Sequence, residues 1–468
     1  MTDTLIKGGR IITAADDYHA DVLLSAGQIA LIGADLDVRA DRVIDARGHY
    51  VLPGAVDMHT HLEMPFGGTM TCDDFTTGTL AAVHGGTTSI VDFCVQQQGQ
   101  SLPDALATWH EKITRCPPFA DVGFHVAVTD LSDPARLDEL AALPEQGVTS
   151  IKLFMAYKGA IMVDDETLFR TMQVAGRSGS LVMVHAENGD AIQVLIEQAL
   201  AAGNTGTAWH GRTRPPITEA EATSRAIDFA QLADCPLYVV HVSCGEALAP
   251  VERARAAGAK VWAETCSQYL YLDESVLDLP DFAGAKAVFT PPPRAKHNQE
   301  ILWSALDRGV LEVVSSDHCP FRWADQKALG RDDFSKIPNG GPGIEDRVEL
   351  LHEFGVRTGR LTLNQWVDMT ATAPARLFGL RGKGSIAVGG DADVVVFDPE
   401  RERTISAASQ HSAIDYNLYE GITVHGGPTA VFVRGELVVR DGETVAEPGT
   451  GRFVARERFG AGRTYAHA

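Results

Sequence analysis

Six residues spread along the chain carry side chains able to bind or activate something: His59, His61, Lys152, His185, His241 and Asp317. The first two stand one residue apart in "DMHTHLEMPFGG", Asp57–Gly68. On a β-strand, residues i and i+2 share a face, so a strand would aim both imidazoles at one point. A lone histidine at a strand end is more often a hydrogen-bonded structural residue than a ligand. A pair at this spacing raises a metal-binding hypothesis. Lys152 lies within the apolar run "TSIKLFMAY", where an ammonium without a partner is costly to bury. Asp317, in "SSDH", reads by itself as no more than a loop or helix cap.

The elements that must position these residues are short Val/Ile-rich runs: "VLPGAVDMH", "TTSIVDFC", "DVGFHVAV", "TSIKLFMAY", "LVMVHAE", "PLYVVHVS", "KVWAETC" and "LEVVSSDH". Helical patterns such as "DDETLFRTMQVAGRSG" and "TEAEATSRAIDFAQLAD" separate most of them. Alternating strands and helices favour a parallel sheet, and eight such units predict an α/β fold, a (β/α)8 TIM barrel. A doubly wound sheet would want a Gly-rich phosphate turn after the first strand, and "GAVDMHTH" is not one. Barrel active sites lie at the C-terminal strand ends. The six residues fall at the ends of strands one, four, five, six and eight, where unrelated structural residues have no reason to gather.

The two ends of the chain have a different texture. Residues 1–52 and 380–445 are rich in short β-like runs broken by turn signals, which predicts one small β-sandwich domain built from both termini. The barrel should then span 53–379. The arginine-rich tail, 446–468, shows little apolar periodicity. It is expected to be either loose or held at a subunit interface.

Apolar residues make up 45% of the 468-residue chain and charged residues 22%, an ordinary globular composition. A net charge of −22 argues against nucleic acid and anionic membrane surfaces as partners. No run is apolar for long enough to span a bilayer, and the N-terminus lacks a secretion-signal pattern. Seven scattered cysteines without a C-x-x-C pair suggest reduced thiols in a cytoplasmic protein. Any metal would therefore be held by nitrogen and oxygen.

Ligand arithmetic sets the expected number of ions. A catalytic zinc takes about three protein ligands and a water, so four histidines and an aspartate are too many for one. Two divalent ions would use them, given a bridging group. A neutral amine at Lys152 can add carbon dioxide to form a carbamate, whose two oxygens can bridge two cations. That would also resolve the cost of burying the lysine.

The motifs "GAVDMHTHLEMPFGGT", "SIKLFMAYKG", "VHAEN", "HVSCGEA", "TPPPR", "SSDHCPF" and "IPNGGPGIEDR" together resemble the D-hydantoinase/dihydropyrimidinase family of cyclic amidohydrolases. The likeness covers essentially the whole chain. It implies two zinc ions, with manganese or cobalt as alternatives, bridged by carboxylated Lys152 and a hydroxide. His59, His61, Lys152 and Asp317 would hold one ion, and Lys152, His185 and His241 the other. It implies Tyr157 at the substrate carbonyl, and Thr290 and Asn339 on the ring imide through main-chain groups. The family usually has Ser at the position of Thr290 and Leu just before Arg294. Asp317 would carry the proton from hydroxide to the leaving nitrogen. The assembly would be a homotetramer.

Dihydroorotase and allantoinase are the nearest alternatives. Dihydroorotase typically has Arg two residues after H-x-H, whereas this chain has Glu63, expected to repel a substrate carboxylate. Met64, Phe66 and Phe154 are expected to form an apolar pocket over the ring substituent. A non-catalytic scaffold relative would have lost metal ligands, and all six positions here are competent. A deaminase of the same superfamily would use one ion and would not need Lys152.

Overall fold

The computed structural model describes residues 2–460, so the end of the predicted tail, 461–468, lies outside the described residues. The N-terminal run forms β1 (Thr4–Ile12), β2 (Asp17–Ser25), β3 (Gln28–Gly33), β4 (Arg42–Asp45) and β5 (Tyr50–Pro53). β1 pairs antiparallel with β2 and parallel with β4 and β5. The barrel follows: β6 (Ala55–Thr60), a small hairpin of β7 (Pro65–Phe66) and β8 (Thr69–Met70), then β9 (Thr87–Val95), β10 (Asp121–Ala127) and β11 (Ser150–Phe154). It continues with β12 (Leu181–His185), β13 (Leu237–Val239), β14 (Val261–Cys266) and β15 (Val313–Ser315). β6 and β9 to β15 make an eight-stranded sheet in chain order. Its ends meet where Thr60 bridges His318 in parallel and the His61 N–H donates to His318 O at 2.8 Å. The eight expected strands are these eight, closed into a barrel.

Local signals start and stop the crossover helices. Asp74 caps Phe75–His84 in a reciprocal bond pattern with Thr77, and Ser101 caps Leu102–Arg115. Asp164 caps Asp165–Ser178, which ends at Gly179 with φ 75°. Short acceptors at the N-cap and a left-handed glycine at the C-terminus satisfy backbone groups the helix leaves open.

The chain ends as β16 (Val394–Thr404), β17 (Thr423–Val433), β18 (Glu436–Arg440) and β19 (Glu443–Thr444). These join the N-terminal strands in one sheet, since β16 pairs antiparallel with β5, Val51 opposite Val396. Ile6, Ile11, Val22 and Leu24 share a core with Val394, Val396 and Phe432. The small domain therefore forms from both termini, as expected.

The described part of the tail, 446–460, makes contacts with its own barrel. Val122 N–H donates to Arg452 O at 2.9 Å, Val454 N–H to Val122 O at 2.8 Å, and Arg456 N–H to Gly147 O at 2.9 Å. The buried Arg456 guanidinium donates to Phe124 O at 2.5 Å and Ser150 Oγ at 2.8 Å. Buried backbone groups need partners, and the extended tail supplies them along the barrel. Among the described residues, no helix is long and apolar enough to cross a bilayer.

Candidate active site

Strand alternation aims Lys152 and His185 without further help. On β11, Ile151 and Leu153 pack into the outer core, which leaves Lys152 facing the barrel axis. Leu181 and Met183 of β12 belong to the inner core, so His185 continues the inward series; Asp317 follows the end of β15. His59 and His241 need more. Val56, Met58, Tyr238 and Val240 are already inner-core residues, so strict alternation would turn the next residue outward. The pairing of β6 with β9 shifts register between Asp57 and Thr60, a bulge that re-aims His59. His241 adopts φ 42°, as Asp317 adopts 49° and Tyr157 68°. Left-handed backbone is costly for such residues and clusters at functional sites.

The result is a cluster of ligand-type atoms. His59 Nε2 and His61 Nε2 each lie 3.2 Å from Asp317 Oδ1. His185 Nδ1 lies 3.0 Å from His241 Nε2, and the His59 and His241 rings are 5.4 Å apart. Ligand atoms of His59, His241 and Asp317 fall within 4.8 Å of one another. Lys152 Nζ is fully buried with no hydrogen-bond partner, 5.1 Å from the centroids of Phe93 and Phe154. An amine stranded beside five converging donors fits a group that the protein atoms do not supply.

Two buried carboxylates orient the imidazoles. His59 Nδ1 lies 2.6 Å from Glu264 Oε1, and His185 Nε2 lies 3.0 Å from Glu187 Oε2. An ionised carboxylate only accepts, so when Glu264 and Glu187 are ionised those ring nitrogens carry the protons and leave His59 Nε2 and His185 Nδ1 to bind. Tyr238 Oη holds Glu264 from the other side at 3.0 Å. Burial holds His59 and His241 neutral, well below the usual imidazole range, the form a cation needs. Burial lowers the Lys152 ammonium to about 7, against the pull of Asp317 and Glu264. Burial raises Glu264 to about 7. For Asp317, burial pushes up, but His59, His61 and Lys152 outweigh it and keep the carboxyl below its ordinary value.

All twelve residues singled out in the sequence line one cavity of about 40 Å³: the six above with Tyr157, Thr290, Asn339, Met64, Phe66 and Phe154. It adjoins an outer cavity of about 640 Å³ that shares Phe66, Tyr157, Thr290 and Asn339. The Phe66 ring meets Tyr157 edge-on at 5.0 Å. Burial raises the Tyr157 hydroxyl above its ordinary range, with Thr290 and Asn339 beside it pulling the other way. A larger open depression of about 750 Å³, between the small sheet and the tail, contains none of these residues.

One expectation fails. Glu63 does not face the cavity: it has φ 46° and its carboxylate accepts from Arg115 at 2.5 Å. It cannot repel a substrate from there. Ile161, Cys319 and Gly340 also line the cavity, and sequence reasoning passed them over. Glu187 and Glu264 were missed as well. Their signal was a carboxylate inside the apolar runs "VHAEN" and "KVWAETC", the same oddity that marked Lys152.

The Amidohydrolase family model matches residues 50–438. The chain belongs to this family. It is 53% identical over 458 residues to a D-hydantoinase of Geobacillus stearothermophilus, covering 98% of this chain and 97% of that one. It is 40% identical over 467 residues to the dihydropyrimidinase of Rattus norvegicus, covering 97% and 89%. The crystal structure of dihydropyrimidinase from Brevibacillus agri NCHU1002 superposes with a TM-score of 0.95 at 53% identity, covering 98% of this chain and 99% of that one. The resemblance to the hydantoinase and dihydropyrimidinase group thus holds over nearly the whole length.

Proposed function

We propose that this protein is a binuclear metal-dependent cyclic amidohydrolase that opens the ring amide of hydantoins or dihydropyrimidines to N-carbamoyl amino acids. The observation that carries the reading is the set of converging nitrogen and oxygen donors around an unpartnered, fully buried lysine amine. The relatives' names supply the ring class, and several named D-hydantoinase, at 47–53% identity, favour the D-enantiomer.

The donors fit two divalent cations, zinc first. His59, His61 and Asp317 would hold one and His185 and His241 the other, with carboxylated Lys152 shared by both. When bound, the cations supply Lewis-acid polarisation of the ring carbonyl and a water acidified toward neutral pH. Asp317 takes the proton of the attacking water and delivers it to the ring nitrogen as the carbon–nitrogen bond breaks. Tyr157, kept protonated by burial, donates to the carbonyl oxygen as negative charge develops there. Thr290 and Asn339 hold the ring amide through main-chain groups. Met64, Phe66 and Phe154 pack against the ring substituent.

The inner cavity has no guanidinium among its lining residues. A ring bearing a carboxylate, as dihydroorotate does, finds no partner for it there, and this now argues against dihydroorotase in place of Glu63. The deciding experiment is kcat/KM of the zinc-loaded protein on dihydrouracil, hydantoin, both enantiomers of a 5-aryl hydantoin, allantoin and dihydroorotate. Native mass spectrometry of the same sample reads metal and carbon dioxide bound. We expect turnover of dihydrouracil and the D-aryl hydantoin, with two ions and one carbon dioxide per chain. Preference for allantoin or dihydroorotate would overturn the substrate class. Little bound metal together with no turnover would leave the scaffold reading.

A further inference from the structure

Lys327 lies in a short helical turn, Lys327–Gly330, and is fully buried outside the cavity lining. Its ammonium donates to three main-chain carbonyls: Val288 O at 2.7 Å, Pro338 O at 2.8 Å and Gly340 O at 2.6 Å. An ammonium has three N–H donors and no acceptor, so all are spent. Taking a cation out of water without a counter-charge is costly. What the arrangement gains is a junction between two loops distant in sequence.

Those loops carry Thr290 and Asn339. Val288 stands two residues before Thr290, and Pro338 and Gly340 flank Asn339. Gly340 N–H also donates to Val288 O at 3.0 Å. Gly340 has φ 149°, and a Cβ there would meet Cys319 O at 2.2 Å, so no side chain fits where this loop closes on the eighth strand. On the other loop, Phe289 O accepts from His210 Nε2 and Pro291 O from Tyr269 Oη, both at 2.8 Å. The carbonyls around Thr290 are thus turned inward and occupied. Among the described residues, neither the Thr290 carbonyl nor the Asn339 N–H has a hydrogen-bond partner, and both residues line the cavity.

We propose that Lys327 is a positioning residue for substrate: its ammonium clamps the two loops so that a free main-chain acceptor and a free main-chain donor face the cavity at fixed spacing. The identity of the ligand, a cyclic amide, rests on the function proposed above; the clamp itself does not.

The test compares wild type with Lys327→Met, which keeps the apolar stem, and Lys327→Gln, which restores two donors. Hydrogen exchange is followed in residues 286–292 and 336–342 of the metal-loaded protein, together with metal content, kcat and KM for dihydrouracil. Faster exchange is expected in both segments of Lys327→Met. KM should rise about tenfold, with kcat within about threefold and metal content unchanged. Lys327→Gln should recover part of both effects, and it carries the test if Lys327→Met fails to fold. Unchanged exchange with unchanged KM would overturn the proposal. So would loss of metal and kcat at constant KM, which would assign Lys327 to the metal centre. A wild-type protein that turns over no cyclic amide would overturn the functional reading instead, and the exchange data would still decide the clamp.

Discussion

At the scale of single residues, the cavity joins one carboxylate to four converging imidazoles. Asp317 is held ionised by His59, His61 and Lys152 against the effect of burial, and its Oδ1 sits at the centre of the H-x-H pair. Asp317→Asn keeps the size and loses the proton acceptor. We expect kcat to fall by ~10²–10⁴, the usual worth of general acid–base catalysis, with the His185–His241 side still binding metal. Near-normal kcat at full metal content would remove Asp317 from the proton path. Lys152 was legible in the sequence because a charge inside an apolar strand has few explanations. Glu264 and Glu187 share that signature and were passed over: Glu264 meets His59 only across 205 residues of chain, while Glu187 stood two residues from its partner His185 and was legible. Glu63 misled for the same reason: position after H-x-H says nothing about which way a side chain turns.

At the scale of elements, the strands set the depth of each group and local backbone sets its direction. Periodicity located all eight barrel strands. It did not foretell the bulge that aims His59 or the left-handed turn at His241, because both follow from closing the sheet around a crowded centre. One helix end carries its own titration. His84 ends Phe75–His84 and stacks on His411, centroids 3.4 Å apart, with its Nε2 2.8 Å from Thr444 Oγ1 of the small sheet. Burial first, then the charges of His411, Arg401 and Arg403, push His84 down to about 3 from 6.5. The folded protein thus refuses a proton that the unfolded chain accepts below about 6.5, so stability is whole above that pH and declines as pH falls toward 3. Discounted for partial exposure, the loss at pH 5.5 is about 1 kcal/mol. Urea midpoints at pH 7.5 and 5.5 check this. His84→Gln should show the smaller drop, and equal drops in both proteins would refute the assignment.

At the scale of the whole molecule, the chain is knitted end to end. β5 and β16 bring the termini together, and the tail returns along the barrel to bury Arg456 against Phe124 O and Ser150 Oγ. Arg456→Met leaves those groups without their donor. It should destabilise the fold by about 1–3 kcal/mol, the cost of buried unsatisfied polar groups. The variant should keep its metal content at low temperature, with a lower calorimetric melting point. An unchanged melting point would mean the tail rides on the barrel without supporting it. Sedimentation of the wild-type protein measures the subunit number.

The sequence by itself pointed to the fold class, the eight strands, the split small domain and twelve of the residues around the cavity, but not to Ile161, Cys319, Gly340, Glu187 or Glu264. Those follow from local pattern: period-two runs, helix caps and polar groups where apolar ones belong. Only the tertiary structure decided which imidazole nitrogens are free, that Glu63 turns away, that Arg456 is buried, and that Lys327 joins two loops. Most of these depend on partners far apart in the chain, 205 residues for His59 and Glu264, 52 for Glu63 and Arg115, 332 for Arg456 and Phe124 and 39 for Lys327 and Val288, and hydrogen-bond direction exists only once both partners are in place.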